Sequence, residues 1–328
     1  MKEPSRSPVP GPAALLAACA RLRFPPHRIA HLLDASGRYD EQLAAEFPFL
    51  IRLFHFRADR FTQGGTWHSR LELFVPLDGP ARVRMGDRTV ALQPGDQLVV
   101  DNLKLHHVLN DPGLDTRVVV VSFLPEFVYS LGSPSHDYTF LLPFYARREG
   151  RPNVLRARDA LAAPAAEALA RLLGCHFARG ADAVAKAGCK AWLLVWLHHL
   201  ARHFAPAEVR RSEFLRQQEL SLRLKPVFEH LRDHCDEKLS LAQAAALVHL
   251  SRPQFVRLFK QVAGTTYVRY VNHVRLSRAA EILRTTRRSI ADIAAEVGFS
   301  DQSYFDRLFR RAFGEPPSVF RDGLAGRN

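Results

Sequence analysis

Cysteine is scarce. Only Cys19, Cys175, Cys189 and Cys235 occur in 328 residues, and no pair of them has CxxC or zinc-type spacing. This excludes a disulfide framework and a cysteine-based metal site, and it fits a reducing cytoplasm. Long apolar runs are missing as well. The most apolar later run, "AWLLVWL" at 191 to 197, is far short of the roughly 20 residues that a membrane span requires, so no membrane association is expected. Near the start, Lys2, Arg6 and "AALLAACA" faintly resemble an export signal, but the apolar run is brief and Arg21 and Arg23 follow at once. Export is therefore not expected. Acidic residues are outnumbered, with 33 Asp and Glu against 46 Lys and Arg and a formal net charge of +13. Such a surplus attracts polyanions, because Lys and Arg beside phosphates release condensed counterions. Charge alone leaves nucleic acid and an acidic membrane surface both open.

What is present divides the chain. Apolar residues make up 47% of it, enough for substantial cores in a length that suits two domains. The first dozen residues, "MKEPSRSPVPGP", are rich in Pro and Ser and read as disordered, at the head of an N-terminal extension over 1–45. From about Phe47 to Phe127, short apolar runs alternate with the turn pairs Asp78-Gly79 and Gly86-Asp87 and the triplet Pro94-Gly95-Asp96. Regularly spaced short strands of this kind predict an antiparallel sandwich or barrel over 46–150. Beyond about Leu155, helix formers dominate, and Leu193, Trp196, Leu197 and Leu200 make one apolar stripe at i, i+3, i+4, i+7. The 151–205 segment is thus a helical unit whose stripe serves either packing on the first domain or a subunit interface. The charged stretch at 206–219 reads as a linker, and 220–328 as all-helical.

An internal repeat carries the strongest signal. "LSLAQAAALVHLSRPQFVRLFKQVAG" (239–264) matches "RSIADIAAEVGFSDQSYFDRLFRRAFG" (288–314) about 50 residues later. Ser240 with Gln243, and Ser289 with Asp292, have capping-box spacing, so each copy announces a helix. Ala245 and Ala294 are small enough for a second helix to cross closely. A turn follows, for which Gly298 is suited and His249 tolerable. Next comes a second helix, with Ser251 or Ser300 as N-cap and Phe255, Leu258 and Phe259, or Phe305, Leu308 and Phe309, on its buried side. Arg257 and Arg307 recur off that apolar side. Helix, tight turn and basic second helix make a helix-turn-helix, whose second helix enters the DNA major groove. A helix of roughly 18 residues between the copies spans about 27 Å, close to the ~34 Å between successive major-groove faces. The 221–328 region carries 18 Lys and Arg against 11 Asp and Glu, or +7 of the total +13.

"SIADIAAEVGFSDQSYFDRLFRRAFGEPPSVFR" closely resembles the second helix-turn-helix of the AraC/XylS family of bacterial transcription regulators, and the likeness extends over about 100 residues. The resemblance implies two helix-turn-helix units on one long helix, reading adjacent major grooves of double-stranded DNA. By position, contacts would come from Arg252, Gln254, Val256 and Arg257 in the first unit. In the second they would come from Gln302, Ser303, Asp306 and Arg307. Pro253 and Val256 stand where polar or large contact residues often occur, which weakens base readout by the first unit.

The N-terminal half looks like the cupin-like barrel that such regulators use to bind a small effector, beside a dimerising helix. "HSRLELFVPLDG" and "LQPGDQLVVDNLKLHHV" loosely resemble the two cupin motifs. In metal-binding cupins the first motif supplies His-x-His-x-x-x-Glu and the second a further histidine. Here Thr66 replaces the first histidine, leaving His68, Glu72 and His106, with His107 adjacent. Three ligands can still hold a catalytic metal. Trp67, Arg70 and Glu72 beside His68 equally suit a polar effector, with an aromatic face for stacking. The expected effector site is therefore Trp67, His68, Arg70, Glu72, His106 and His107, with no metal, no cofactor and no catalytic residue.

The expected fold is multidomain, an N-terminal cupin-like β-barrel with helices followed by an all-α double helix-turn-helix domain. The resemblance implies a cytoplasmic, homodimeric regulator that responds to a small molecule, a carbohydrate by the family's habits, and contacts RNA polymerase. The competing reading is a metal-dependent cupin enzyme with an accessory helical domain.

Overall fold

A computed structural model describes residues 10–325 apart from 28–42, 45, 59–67, 69, 102–104, 131–132, 135, 146–152, 179–181, 205–210 and 238. In chain order the elements are α1 (Pro10–Cys19), β1 (Phe49–Arg57), β2 (Leu71–Pro76), β3 (Ala81–Met85), β4 (Arg88–Leu92), β5 (Gln97–Val100), β6 (His106–Val108), β7 (Asp115–Phe123), α2 (Leu142–Tyr145), β8 (Val154–Leu155), α3 (Ala162–His176) and α4 (Ala183–Phe204). There follow α5 (Arg211–Arg223), α6 (Lys225–Asp233), α7 (Leu241–Leu247), α8 (Arg252–Ala263), α9 (Tyr267–Thr285), α10 (Ile290–Glu296), α11 (Gln302–Phe313) and α12 (Pro317–Ala325).

The strands form two antiparallel sheets, β1-β7-β2-β5-β8 and β4-β3-β6. The expected barrel is not closed: among the described residues no ladder joins the two sheets. The reason lies in what covers the larger sheet. One of its faces, with Ile51, Leu71, Leu73, Val119 and Val121, packs on α1, α3 and α4. The other, with Phe74, Val118 and Val120, packs on Val83, Met85 and Val90 of the smaller sheet. Every residue of β2 is buried, as expected of a strand covered on both faces. Helix, sheet and sheet thus stack as three layers.

The apolar stripe of α4 is consumed inside the chain. Leu193, Trp196, Leu197 and Leu200 are all 0% exposed, and Trp196 Nε1 donates to Gln97 Oε1 at 2.7 Å. This stripe is therefore covered by the chain itself and is not free to form a subunit interface. The 206–219 linker is also corrected in part. From Arg211 onward it is helical, and Phe214 is buried against the rings of Tyr129, Tyr138 and Tyr145, which ties α5 to the N-terminal core. An apolar aromatic in a charged stretch is the residue that decides this. Of the dozen residues read as disordered, 1–9 lie outside the described residues, whereas α1 begins at Pro10 and buries Leu15 and Cys19.

The helical region from Leu224 holds two separate cores that share one helix. The first half of α9, with Tyr267, Tyr270 and Val274, joins Phe255 and Phe259 of α8. Its second half, with Leu276, Ala279 and Leu283, joins Phe305 and Phe309 of α11. Ala245 and Ala294 are both 2% exposed, small residues at close helix crossings as the repeat predicts. The Ser240–Gln243 capping box is complete; in the second copy Ser289 accepts from the Asp292 amide alone. One cap moves by a residue: α11 is capped by Asp301, which accepts from the Tyr304 amide, instead of Ser300. The inserted residue in the second copy places Asp301 four residues before Phe305, the position that Ser251 holds before Phe255 in the first copy.

Candidate functional site

The outward face of each helix-turn-helix follows from which side of its second helix is buried. With Phe255, Leu258 and Phe259 inside, Arg252, Gln254, Val256 and Arg257 fall on the exposed side of α8. The same register leaves Gln302, Ser303 and Arg307 exposed on α11, with Asp306 half-buried. Seven of the eight expected positions are thus exposed, and Asp306 is the one that is not. Gln254 already has a local task, because its Oε1 accepts from the Ser251 amide and hydroxyl at 3.1 and 2.8 Å and closes the cap of α8. Arg307 lies over the Tyr304 ring at 5.3 Å, and Tyr304 OH accepts from Asn272 Nδ2 at 3.1 Å. That stack orients a guanidinium without neutralising it.

The turns between the paired helices differ as the residues predict. Gly298 has φ +89°, while His249 holds φ +55° at the equivalent place, a rare conformation for a residue with a Cβ. Beside Gly298 sits Arg275 of α9, which donates to the carbonyls of Cys235, Gly298 and Glu237 at 2.9, 2.8 and 3.1 Å. This clamp binds the second turn to the segment before α7. No periodicity signals it, because its partners are backbone atoms distant in sequence.

The N-terminal cluster is compact. His68 lies just before β2, Glu72 on β2 and His106 at the start of β6. Glu72 Oε2 stands 3.1 Å from His68 Nε2 and 3.3 Å from His106 Nε2, with side-chain exposures of 8%, 3% and 12% respectively. The two imidazoles meet edge to face at 4.8 Å. Glu72 Oε1 accepts from Ser122 Oγ at 2.8 Å, and His68 Nδ1 donates to the Arg70 carbonyl at 3.0 Å. Burial opposes charge on both partners. It pushes His68 down to about 4 despite Glu72 beside it. For Glu72, burial would raise the carboxyl, but the pull of His68 and His106 outweighs it and holds the group well below its usual range. Ser122 was missed from sequence, although a lone hydroxyl within the apolar run of β7 was its signal.

Not every expected effector residue joins the cluster. Trp67 and Thr66 lie outside the described residues. Arg70 is buried and contributes its carbonyl to His68. His107 pairs opposite Arg84 while His106 pairs opposite Met85, so adjacent-residue alternation turns His107 to the other face of its sheet. There burial, with His273 of α9 and Arg84 nearby, pushes it down to about 3.

The same edge of the smaller sheet touches the first helix-turn-helix. Leu105 packs against that unit's core. Asp87 accepts from Arg269 Nη1 at 2.7 Å and Thr265 Oγ1 at 3.1 Å. A Cβ on Gly86, whose φ is +56°, would come within 2.4 Å of the Gly264 carbonyl oxygen. The two domains therefore meet backbone to backbone at the β3–β4 turn.

Comparisons with known proteins agree with this division. A family described as "Helix-turn-helix domain" matches residues 244–323. The chain is 32% identical over 127 residues to the MmsAB operon regulatory protein of Pseudomonas aeruginosa, a match covering 37% of this chain and 41% of that protein. It is 36% identical over 102 residues to the arabinose operon regulatory protein of Escherichia coli, covering 31% of this chain and 35% of that protein. The chain thus spans well under half the length of the curated relatives it matches. Among solved structures, unsaturated fatty acid-bound ToxT from Vibrio cholerae aligns with TM-score 0.49 and 13% identity, over 85% of this chain and 96% of that one.

Proposed function

We propose that the chain is a transcription regulator of the AraC/XylS type, which binds double-stranded DNA site-specifically and switches transcription in response to a small effector; the helix-turn-helix match over residues 244–323 and the 36% identity to the arabinose operon regulatory protein support this reading. The carrying observation is the doubled helix-turn-helix on one helix, with Arg252, Arg257, Gln302, Ser303 and Arg307 on outward faces. At about 1.5 Å per residue the 19-residue α9 holds the two units roughly 28 Å apart, near the pitch that separates successive major-groove faces. Arg257 and Arg307 supply guanine or phosphate contacts; Gln254, Val256 and Asp306 complete the contact faces.

The effector reading rests on the buried cluster of His68, Glu72 and His106, supported by Arg70 and Ser122. The carbohydrate expectation came from the family's habits and from an aromatic-flanked polar site whose Trp67 lies outside the described residues, so the chemistry of the described three is the better guide. His107 fits a relay toward α9 in place of a wall of the site. Transcriptional output would require contact with RNA polymerase in the cytoplasm by a homodimer on paired sites, and the dimer surface must be one other than the α4 stripe. Footprinting on DNA flanking the gene tests the central claim. Protection of two adjacent major-groove segments on one side of the helix is expected per protomer; absence of any site-specific protection would refute it.

A further inference from the structure

His68, Glu72 and His106 present three donor atoms that all lie within 4.8 Å of one another. We propose that these residues bind one divalent transition-metal ion of the zinc, cobalt or nickel class, with Ser122 as the positioning residue for Glu72. The inference rests on the reading of the N-terminal unit as the sensing domain and names the chemistry of its site.

Four observations carry it. First, the donor set is chemically matched, since two imidazoles and a carboxylate are the ligands such ions take in three-residue sites. Second, the spacing is close to a coordination shell. Donors about 2.0–2.1 Å from a tetrahedral ion stand roughly 3.3 Å apart, and Glu72 Oε2 lies 3.1 and 3.3 Å from the two Nε2 atoms. Third, the supporting bonds have the right sense. His68 spends its Nδ1 proton on the Arg70 carbonyl, and Ser122 donates to the other oxygen of Glu72. Ligating histidines and carboxylates are oriented by such outer bonds.

The fourth observation is an unsatisfied ligand atom. His68 Nε2 is fully buried without a hydrogen-bond partner of good geometry, and it faces Glu72 Oε2 at 3.1 Å. A buried polar atom left unmet in this way calls for a partner, and a cation held between the two atoms would supply it. Three protein ligands leave a further coordination position for water or a donor atom of an organic effector. His106 lies on β6, one residue from Leu105, which packs on the first helix-turn-helix core, so occupancy is felt where the two domains touch.

The test uses the full-length protein, stripped with a chelator and titrated with zinc chloride by calorimetry, with metal content read by mass spectrometry after dialysis. One zinc per chain is expected. His106→Gln and Glu72→Gln should each weaken binding by tenfold or more. Ser122→Ala should weaken it by about tenfold, as loss of an outer-shell bond does. Zinc-edge X-ray absorption on the wild-type protein needs no variant, and should show imidazole nitrogen and oxygen without sulfur. Absence of stoichiometric binding, sulfur in the shell, or affinity unchanged in folded His106→Gln would each overturn the proposal. A gel shift on the same stripped preparations separates the two readings. DNA binding without zinc binding removes the ion and spares the regulator. Zinc binding with no DNA site does the reverse.

Discussion

Replacing Gly298 by alanine tests the helix-turn-helix geometry at its tightest point. The residue has φ +89°, so a Cβ incurs left-handed strain of about 1–2 kcal/mol. The new methyl would lie 2.7 Å from the Asp236 carbonyl oxygen and 2.8 Å from Arg275 Cζ. Neither neighbour yields cheaply. One is backbone, and the other is held by three hydrogen bonds to carbonyls. Losing one of these charged bonds costs about 1.5–3 kcal/mol. Against this, alanine restricts the unfolded chain and returns about 0.4–1 kcal/mol. The net expectation is destabilisation of the second unit by about 2–4 kcal/mol, a large share of a typical domain stability of 5–15 kcal/mol. Since the two units have separate cores, the loss should be local. Native-state hydrogen exchange reads it directly. Opening free energies of amides such as Ile293 and Phe305 should fall by that amount, while those of α7 and α8 hold. The paired control is His249→Gly, where relieved strain and added chain entropy nearly cancel, so a change within about 0.5 kcal/mol is expected. If Gly298→Ala shifts the α10–α11 amides by less than about 0.5 kcal/mol, the turn argument is wrong.

Three further outcomes follow from the same contacts. Arg307→Ala should weaken specific DNA binding by about 1–3 kcal/mol if its guanidinium reads a base; equal loss on specific and random DNA, measured by fluorescence anisotropy, would make it a phosphate contact only. Trp196→Phe removes the donor to Gln97 Oε1 at a site with 0% exposure, leaving a buried acceptor unmet. A loss of about 2–3 kcal/mol in urea unfolding of the N-terminal domain is expected, and a midpoint equal to wild type would refute the role. Gly86→Ala should push the β3–β4 turn off the backbone at Gly264, raising exchange of the 265–269 amides without altering α11; unchanged exchange would show that the turn does not dock there in solution.

The C-terminal domain was legible residue by residue because its information is local. Capping spacing, a small residue at a crossing, a glycine at a turn and an apolar side recurring every three to four residues are all decided within one or two helical turns. The copy repeated at a fixed interval then identified the units and their exposed faces. The misplacement of one cap, Ser300 for Asp301, came from a single inserted residue whose hydrogen bond only coordinates reveal. In the N-terminal half the strands were legible from their turn pairs, but their closure was not. Whether a sheet curls into a barrel or lies under helices depends on what covers each face, and α3 and α4 lie far along the chain from β2.

The candidate site divides in the same way. His68 and Glu72 were singled out as a pair from their spacing, and His106 from a motif resemblance. Tertiary structure alone decided that His106 turns inward and His107 outward, since strand alternation sends neighbours to opposite faces and only the register with β3 fixes which is which. It alone brought Ser122 to Glu72 from 50 residues away, Arg275 to the second turn, and Asp87 to Arg269 across the domains. By itself the sequence determined the double helix-turn-helix and its charge, because short-range propensity and patterning suffice for helices. The His68–Glu72–His106 cluster required the fold, because its donors converge through long-range pairing of strands, which no local pattern encodes.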